Sequence, residues 1–232
     1  EQEQWLIRLI WGAACVGMIG GAPKSWKTWF GLELVFSVVT GLPFLGKFAV
    51  EQPGPALIYL AEDSESRVRS RLECLCEHRK IDIRKLDLWV ITEPVLRLDL
   101  PEQQEKLRET VAQLRPRLVL LDPLIRLHRL DENSSTEMSG LLGYLRALQR
   151  SLNVAIVLVH HVSKRARPQP GQALRGSSDL HAWTDSAAYL AWRNNQLHLA
   201  LEHRAAQAPP PMVLDLVAGP DGEAVHLELR GE

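Results

Sequence analysis

A glycine-containing turn at residues 20–28 separates two apolar runs, and this arrangement limits the folds that the chain can adopt. Residues 14–19 form an apolar run short enough to be a buried strand. Residues 29–39 form a longer run that fits a helix. Because a strand that leads through such a turn into a helix is the building unit of parallel sheets, the stretch predicts an α/β fold.

From Gly21 onward the turn matches the phosphate-binding pattern G-x-x-x-x-G-K-[ST], except that Trp26 stands at the second glycine. At a helix start, unpaired backbone N–H groups and the positive end of the helix dipole form an anion site. Lys27 would reach the β- and γ-phosphates of a nucleotide, and the Thr28 hydroxyl would bind Mg²⁺. Taken alone, the stretch is equally compatible with an ordinary turn followed by an ordinary helix.

The composition excludes several classes of protein. The 232 residues, 46% hydrophobic and 24% charged, suit one α/β domain. No apolar run reaches the roughly 18 residues needed to cross a membrane. The first residues lack the positive charge of a secretory signal, so we expect a cytoplasmic protein without a membrane partner. A net charge of −1 is not that of a dedicated DNA-binding protein, and any nucleic-acid contact must come from a local patch.

We expect a single domain over residues 1–232, with residues 1–13 as an N-terminal edge segment, either a short helix or a strand, and residues 205–232 as a C-terminal β-hairpin extension. Toward the C-terminus, short apolar runs alternate with turns, which indicates antiparallel strands at the edge of a mostly parallel sheet flanked by helices. The strands predicted there are residues 186–193, 197–202, 212–217 and 224–229, and a further strand is predicted earlier, at residues 86–91.

Polar residues follow several predicted strands at the point where each strand ends. Glu62 comes directly after the apolar run 56–60, Asp122 ends another run, and His160 and His161 end a third. Ligands of open α/β sheets bind beyond the carboxyl ends of the strands. Apolar residues followed by Asp122 have the form of a Walker B strand, whose carboxylate holds Mg²⁺.

A basic stretch follows the two histidines. Residues 162–175 contain Lys164, Arg165, Arg167 and Arg175, two prolines and no acidic residue. This composition predicts a loop, which could contact nucleic-acid phosphates or could simply be a solvated surface.

With these features in this order, the chain resembles the RecA-like ATPases, and within them the RepA-type hexameric plasmid helicases. The resemblance extends over residues 12–204. Its most specific parts are Gly-Ala-Pro-Lys-Ser-Trp-Lys-Thr (21–28), Leu-Ala-Glu-Asp-Ser (60–64), Leu-Leu-Asp-Pro (120–123), His-His-Val-Ser-Lys (160–164) and Arg-Gly-Ser-Ser (175–178).

This resemblance implies a role for each polar position. Glu62 would polarise the attacking water, and His161 or His160 would sense the γ-phosphate. The loop 163–174 would face the channel of a ring and touch nucleic acid. Arg204, which follows a late strand, would act as an arginine finger on a neighbouring subunit, with a surface ion pair to Asp185 or Glu202 as the alternative.

The implied ligands are ATP and Mg²⁺, and the implied partners are single-stranded nucleic acid, with DNA preferred, and further copies of the chain in a ring, a hexamer in the resembled helicases. The predicted catalytic residues are Lys27, Glu62, Asp122, His161 and Arg204. The predicted nucleotide-binding residues are Gly21, Ala22, Pro23, Lys24, Ser25, Trp26, Lys27, Thr28 and His160, with Thr28 and Asp122 at the metal.

Two classes of function remain open from the sequence. One is an ATPase, for example a helicase, that moves or remodels nucleic acid as a ring or filament. The other is a regulatory or scaffold protein of the same fold that binds ATP and hydrolyses it poorly. The presence of Lys27, Thr28, Glu62 and Asp122 together favours the ATPase, whereas Trp26 favours the scaffold.

Overall fold

The computed structural model describes residues 4–132, 134–161, 178–219 and 224–231. Strands and helices alternate through most of this part of the chain, as the sequence predicts. The strands are β1 (Trp5–Ile7), β2 (Trp11–Gly12), β3 (Val16–Gly21), β4 (Ala56–Leu60), β5 (Leu88–Val90), β6 (Leu118–Asp122), β7 (Ala155–His161), β8 (Ser186–Arg193), β9 (Gln196–His203), β10 (Met212–Ala218) and β11 (Ala224–Leu229). The helices are α1 (Lys27–Thr40), α2 (Glu65–Arg79), α3 (Pro101–Leu114), α4 (Ser135–Leu152) and α5 (Ser178–Trp183).

Nine of these strands form one sheet in the order β11-β10-β9-β8-β3-β7-β6-β4-β5. The strands from β8 to β5 in this order are parallel to one another. β9, β10 and β11 add to the β8 edge in antiparallel fashion. β8 therefore belongs to the parallel part of the sheet, and the antiparallel edge begins one strand later than the sequence predicts.

Both faces of the parallel strands are buried, which explains their continuous apolar sequences. In β6, Leu118 and Leu120 pack in one apolar cluster, while Val119 and Leu121 pack in the other. The first cluster includes side chains of α1 and α2, and the second includes side chains of α3, α4 and α5. The sheet is thus sandwiched between two helical layers, as the predicted α/β architecture requires.

The N-terminal residues form a separate two-stranded sheet of β1 and β2. Trp11 is fully buried, and Ile7 forms an isolated bridge with Val50. The N-terminal segment therefore packs on the core as strands rather than as a helix, which settles an alternative that the sequence left open.

The C-terminal hairpin of β10 and β11 continues the main sheet and contacts α1 and α2. The carboxylate of Glu33 in α1 accepts a hydrogen bond from the Leu227 backbone N–H at 2.9 Å. In the same region the rings of His78 and His226 stack with centroids 3.4 Å apart. Within the described residues, no helix is both long and apolar enough to cross a membrane.

Candidate nucleotide-binding site

The predicted site residues gather at one edge of the sheet because parallel strands end on the same side. Gly21 ends β3, Asp122 ends β6 and His161 ends β7. Glu62 lies two residues beyond the end of β4. One strand, β7, lies between the strands that carry the glycine turn and Asp122.

The turn between β3 and α1 is held by its own hydrogen bonds. The Ala22 carbonyl oxygen accepts from the Ser25 hydroxyl at 2.8 Å and from the Lys27 ammonium group at 2.8 Å. The Ser25 N–H points to the same oxygen at 3.3 Å. The Lys27 side chain thus folds back over the turn, and a bound phosphate would replace the Ala22 carbonyl as its partner.

Trp26 explains why the phosphate-binding pattern usually has glycine at its position. It is the N-cap of α1, with φ 57° and ψ 30° in the left-handed region, and its side chain makes no capping hydrogen bond. Residues with a Cβ atom seldom adopt this conformation. The chain therefore keeps the backbone shape of the pattern although the glycine is absent.

Thr28 and Asp122 meet directly at the start of α1. The Thr28 hydroxyl donates a hydrogen bond of 2.7 Å to the Asp122 carboxylate. Asp122 is only 7% exposed, and burial raises its pKa to about 6 although the hydrogen bond from Thr28 and the charge of Lys27 act in the opposite direction. A buried carboxylate whose charge is poorly compensated is a suitable ligand for a hard cation, and the oxygen atoms of Thr28 and Asp122 are of the type that Mg²⁺ prefers.

Lys27 lies in the same buried environment. Its side chain begins at the first residue of α1, and the residue is 5% exposed. Burial lowers the pKa of Lys27 to about 8, against the effects of the carboxylates of Asp122 and Glu62, which raise it. Because the helix start is already positive, a cation held here favours an anionic ligand.

Glu62 is placed near this site but is engaged by a partner. Its carboxylate forms an ion pair of 3.0 Å with Arg126, and both side chains are about half exposed, at 48% and 61%. The neighbouring Asp63 pairs instead with Arg71, 2.5 Å away, while Ser64 caps α2 through the Arg67 N–H. Among these adjacent polar residues, Glu62 is therefore the carboxylate that is not committed to the start of α2.

The two histidines lie beside the glycine turn. In the parallel pairing of β3 with β7, His160 is in register with Gly20 and His161 with Gly21. His160 is buried, and His161, which ends the strand, is partly exposed. Successive residues of a strand point to opposite faces, so only one of the two can face the α1 side. That residue is His161, because Val157 and Val159 of the same alternation belong to the α1 cluster.

Arg204 follows β9 and forms an ion pair with Asp185, Nη1 to Oδ1, at 3.4 Å. It also donates to the Ala182 carbonyl oxygen. Asp185 is shared, because Arg146 donates to it and the Val16 N–H does so at 3.2 Å. The structure thus contains the intramolecular ion pair that the sequence analysis gave as the alternative to a finger. The basic residues Lys164, Arg165, Arg167 and Arg175 lie outside the described residues.

Two contacts at the site were not foreseen from the sequence. Arg126 reaches Glu62 over 64 positions, and Trp192 of β8 reaches Lys24 of the turn over 168 positions. No local pattern signals either contact, since each depends on which strands are neighbours in the sheet.

Comparison with solved structures supports the fold class. The chain is similar to a solved helicase ATPase domain, with 18% identity, a TM-score of 0.68, and coverage of 93% of this chain and 86% of that chain. It is also similar to the RadB recombinase, with 17% identity, a TM-score of 0.65 and 88% coverage of each. The fold is that of a RecA-like P-loop ATPase, which confirms the predicted fold class and the predicted resemblance.

The family follows from the sequence match. Residues 1–167 match a family model described as an AAA domain. This chain therefore belongs to that AAA domain family.

Proposed function

We propose that the chain, as one domain over residues 1–232, binds and hydrolyses Mg-ATP and uses this reaction to act on single-stranded nucleic acid as a homo-oligomeric ring or filament. The observation that carries the proposal is the 2.7 Å hydrogen bond between Thr28 and Asp122 beside the buried Lys27. These three side chains, on the turn and on a distant strand, converge where a nucleotide's phosphates and Mg²⁺ would bind.

The binding step follows from the geometry of the turn. The first N–H groups of α1 and the Lys27 ammonium group would bind the phosphates, with Lys27 leaving the Ala22 carbonyl oxygen. Thr28 and Asp122 would hold Mg²⁺, which neutralises phosphate charge when bound. Because burial of Asp122 disfavours its ionised form, a cation at this position would stabilise the carboxylate.

Hydrolysis needs a group that orients water toward the γ-phosphate. Glu62 has the required carboxylate at the strand ends, and in our proposal it leaves Arg126 when nucleotide is bound. His161, in register with Gly21, is the better placed γ-phosphate sensor of the two histidines, and His160 contributes from the buried side. Arg204 would complete the site of a neighbouring subunit by leaving Asp185.

The nucleic-acid part of the proposal depends on the basic stretch. Lys164, Arg165, Arg167 and Arg175 fall between β7 and α5, directly after the proposed sensor. Contacts from such residues to phosphates would give affinity that falls steeply with salt and depends little on base sequence.

The second candidate function is ATP binding without significant hydrolysis. The Glu62–Arg126 ion pair favours it, because a carboxylate held by an arginine is a weaker base and is not free to bind water. A protein of this kind would use nucleotide occupancy to regulate a partner.

One set of measurements separates these functions. ATP turnover is measured with and without single-stranded DNA for the wild type, for Lys27→Ala, and for Lys106→Ala, which removes an exposed lysine of α3 as a control. We expect turnover that DNA stimulates, lost in Lys27→Ala and retained in the control. Binding without turnover in either condition supports the second candidate. If calorimetry finds equal Mg-ATP affinity in Lys27→Ala and wild type, the site assignment is wrong.

A salt titration tests the nucleic-acid contact. Replacing Lys164, Arg165 and Arg167 by Ala should weaken DNA binding at low salt and flatten its salt dependence. A second triple variant with the same change in net charge, made at exposed positions elsewhere, should bind DNA as the wild type does. The control positions are Lys85, Lys106 and Arg150. Equal affinities in the two triple variants would show that the loop does not bind DNA.

A further inference from the structure

The P-loop, residues 20–28, contains two non-glycine residues in a backbone conformation that glycine favours. Lys24 has φ 63° and Trp26 has φ 57°. Side chains with a Cβ atom are sterically disfavoured in this region. Something outside the loop must therefore hold it in this shape, because the loop's own sequence does not favour it.

One side chain from another strand contacts both residues. The Trp192 indole Nε1–H donates a hydrogen bond of 3.1 Å to the Lys24 carbonyl oxygen. Its ring also packs against the Trp26 ring, with centroids 4.9 Å apart and an interplanar angle of 77°. This edge-to-face arrangement is a favourable geometry for two aromatic rings.

The position of Trp192 is itself well defined. β8 pairs with β3 so that Leu190 is in register with Gly21, and a Cβ atom on Gly21 would lie 2.7 Å from the Leu190 carbonyl oxygen. Trp192 lies two residues further along β8, on the same face as Leu190, and it pairs with Leu197 of β9. The strand thus brings the indole ring to the loop as a rigid support.

Trp192 is 44% exposed, which is unusual for so large an apolar side chain. Its position beside the P-loop gives a physical reason for this exposure. The ring cannot enter the core and at the same time contact Lys24 and Trp26 at the surface.

We propose that Trp192 is a positioning residue that holds the P-loop in its phosphate-binding shape, compensating for the glycine that is replaced by Trp26. The inference rests on the proposed nucleotide site, since it assigns Trp192 a role in preparing that site. Trp192 acts through Lys24 and Trp26 and need not touch the nucleotide.

The first test measures the loop itself, without nucleotide. Amide hydrogen exchange of the peptide covering residues 20–28 is compared for the wild type, Trp192→Ala and Trp89→Ala. Trp89 is the matched control, because it is 49% exposed and lies on β5 at the opposite edge of the sheet. We expect faster exchange in the loop only for Trp192→Ala. Unchanged exchange in that variant overturns the proposal, whether or not the protein binds ATP.

The second test measures affinity for Mg-ATP by calorimetry. Loss of the ring contact and of the hydrogen bond should weaken binding by about tenfold in Trp192→Ala. Trp192→Phe keeps an aromatic ring without the N–H group and should fall between this variant and the wild type. Trp26→Gly removes the disfavoured conformation, so adding it to Trp192→Ala should recover much of the lost affinity. A double variant as weak as Trp192→Ala contradicts the compensation.

Inorganic tripolyphosphate distinguishes positioning from direct contact with the base. If Trp192 positions the loop, Trp192→Ala weakens tripolyphosphate and ATP by the same factor. If the indole instead stacks on adenine, only ATP binding is weakened, and the proposal is wrong. A wild-type protein that binds neither ligand but shows the expected loop exchange refutes the proposed function and leaves the positioning role intact.

Discussion

Glu33 offers a direct test of the packing between the helix that follows the P-loop and the C-terminal hairpin. It is 1% exposed within α1, and its carboxylate accepts a hydrogen bond from the Leu227 N–H. Burial raises the pKa of Glu33 from its ordinary 4.5 to about 7, with a smaller contribution from Glu228, while the Leu227 N–H and Arg79 act to lower it. The native state therefore holds a proton on Glu33 over a pH range in which the unfolded chain has lost it.

The size and sign of the effect follow from this shift. One pKa unit corresponds to about 1.36 kcal/mol, so ionising Glu33 in the native state costs about 3.4 kcal/mol relative to the unfolded chain. A carboxyl whose pKa is raised on folding contributes stability that is fully present below pH 4.5 and is lost as the pH rises through 7. Between pH 5 and pH 8 the loss from this one group is about 2 to 3 kcal/mol.

Glu33→Gln removes the titration and keeps a carbonyl oxygen that can accept from Leu227. The free energy of unfolding is measured by urea denaturation at pH 5 and pH 8 for both proteins. We expect the wild type to lose about 2 to 3 kcal/mol more than the variant between these pH values. Glu109→Gln, at an exposed position of α3, should follow the wild type.

Two histidines near Leu227 also bear on this measurement. Burial, together with the charges of His226 and Arg79, lowers the pKa of His78, so stability from this group is lost as the pH falls. Its effect opposes that of Glu33, but it is present in both proteins and cancels in the comparison. Equal pH dependence in wild type and Glu33→Gln would refute the assignment of a raised pKa to Glu33.

Three further predictions concern the nucleotide site. Glu62→Gln should bind Mg-ATP and lose about 100-fold or more in turnover, measured by phosphate release, and wild-type turnover would exclude Glu62 as the water-orienting group. Gly21→Ala places a methyl group 2.3 Å from the Ser25 hydroxyl oxygen and close to backbone, so calorimetry should show lost nucleotide binding in a protein whose circular dichroism is unchanged. Arg204→Ala should reduce turnover by about 10³-fold or more, and mixing it with Lys27→Ala should restore part of the activity if the arginine acts in trans, whereas no recovery in mixed oligomers would leave Arg204 as an intramolecular ion-pair partner.

The agreement between sequence and structure is closest where local patterns decide the outcome. β8 and β11 have the predicted limits, because alternating apolar residues and the intervening turns define them. α1 begins at Lys27, two residues earlier than its apolar run, since the last residues of the P-loop already belong to the helix. β5 covers only Leu88–Val90 of the predicted 86–91, because it is an edge strand paired on one side and a 3₁₀ turn at Ile83–Lys85 precedes it.

By itself the sequence determined the alternation of strands and helices, the phosphate-binding chemistry of the turn and the polar residues at the strand ends. These features depend on hydrophobic periodicity and turn chemistry over a few residues. Only the tertiary structure decided that β7 separates β3 from β6 and that β8 runs parallel to β3. It also decided that Arg126 pairs with Glu62 and that Trp192 supports the P-loop. Strand order and side-chain contacts across 64 to 168 positions arise from the packing of the whole sheet, which no local stretch of sequence specifies.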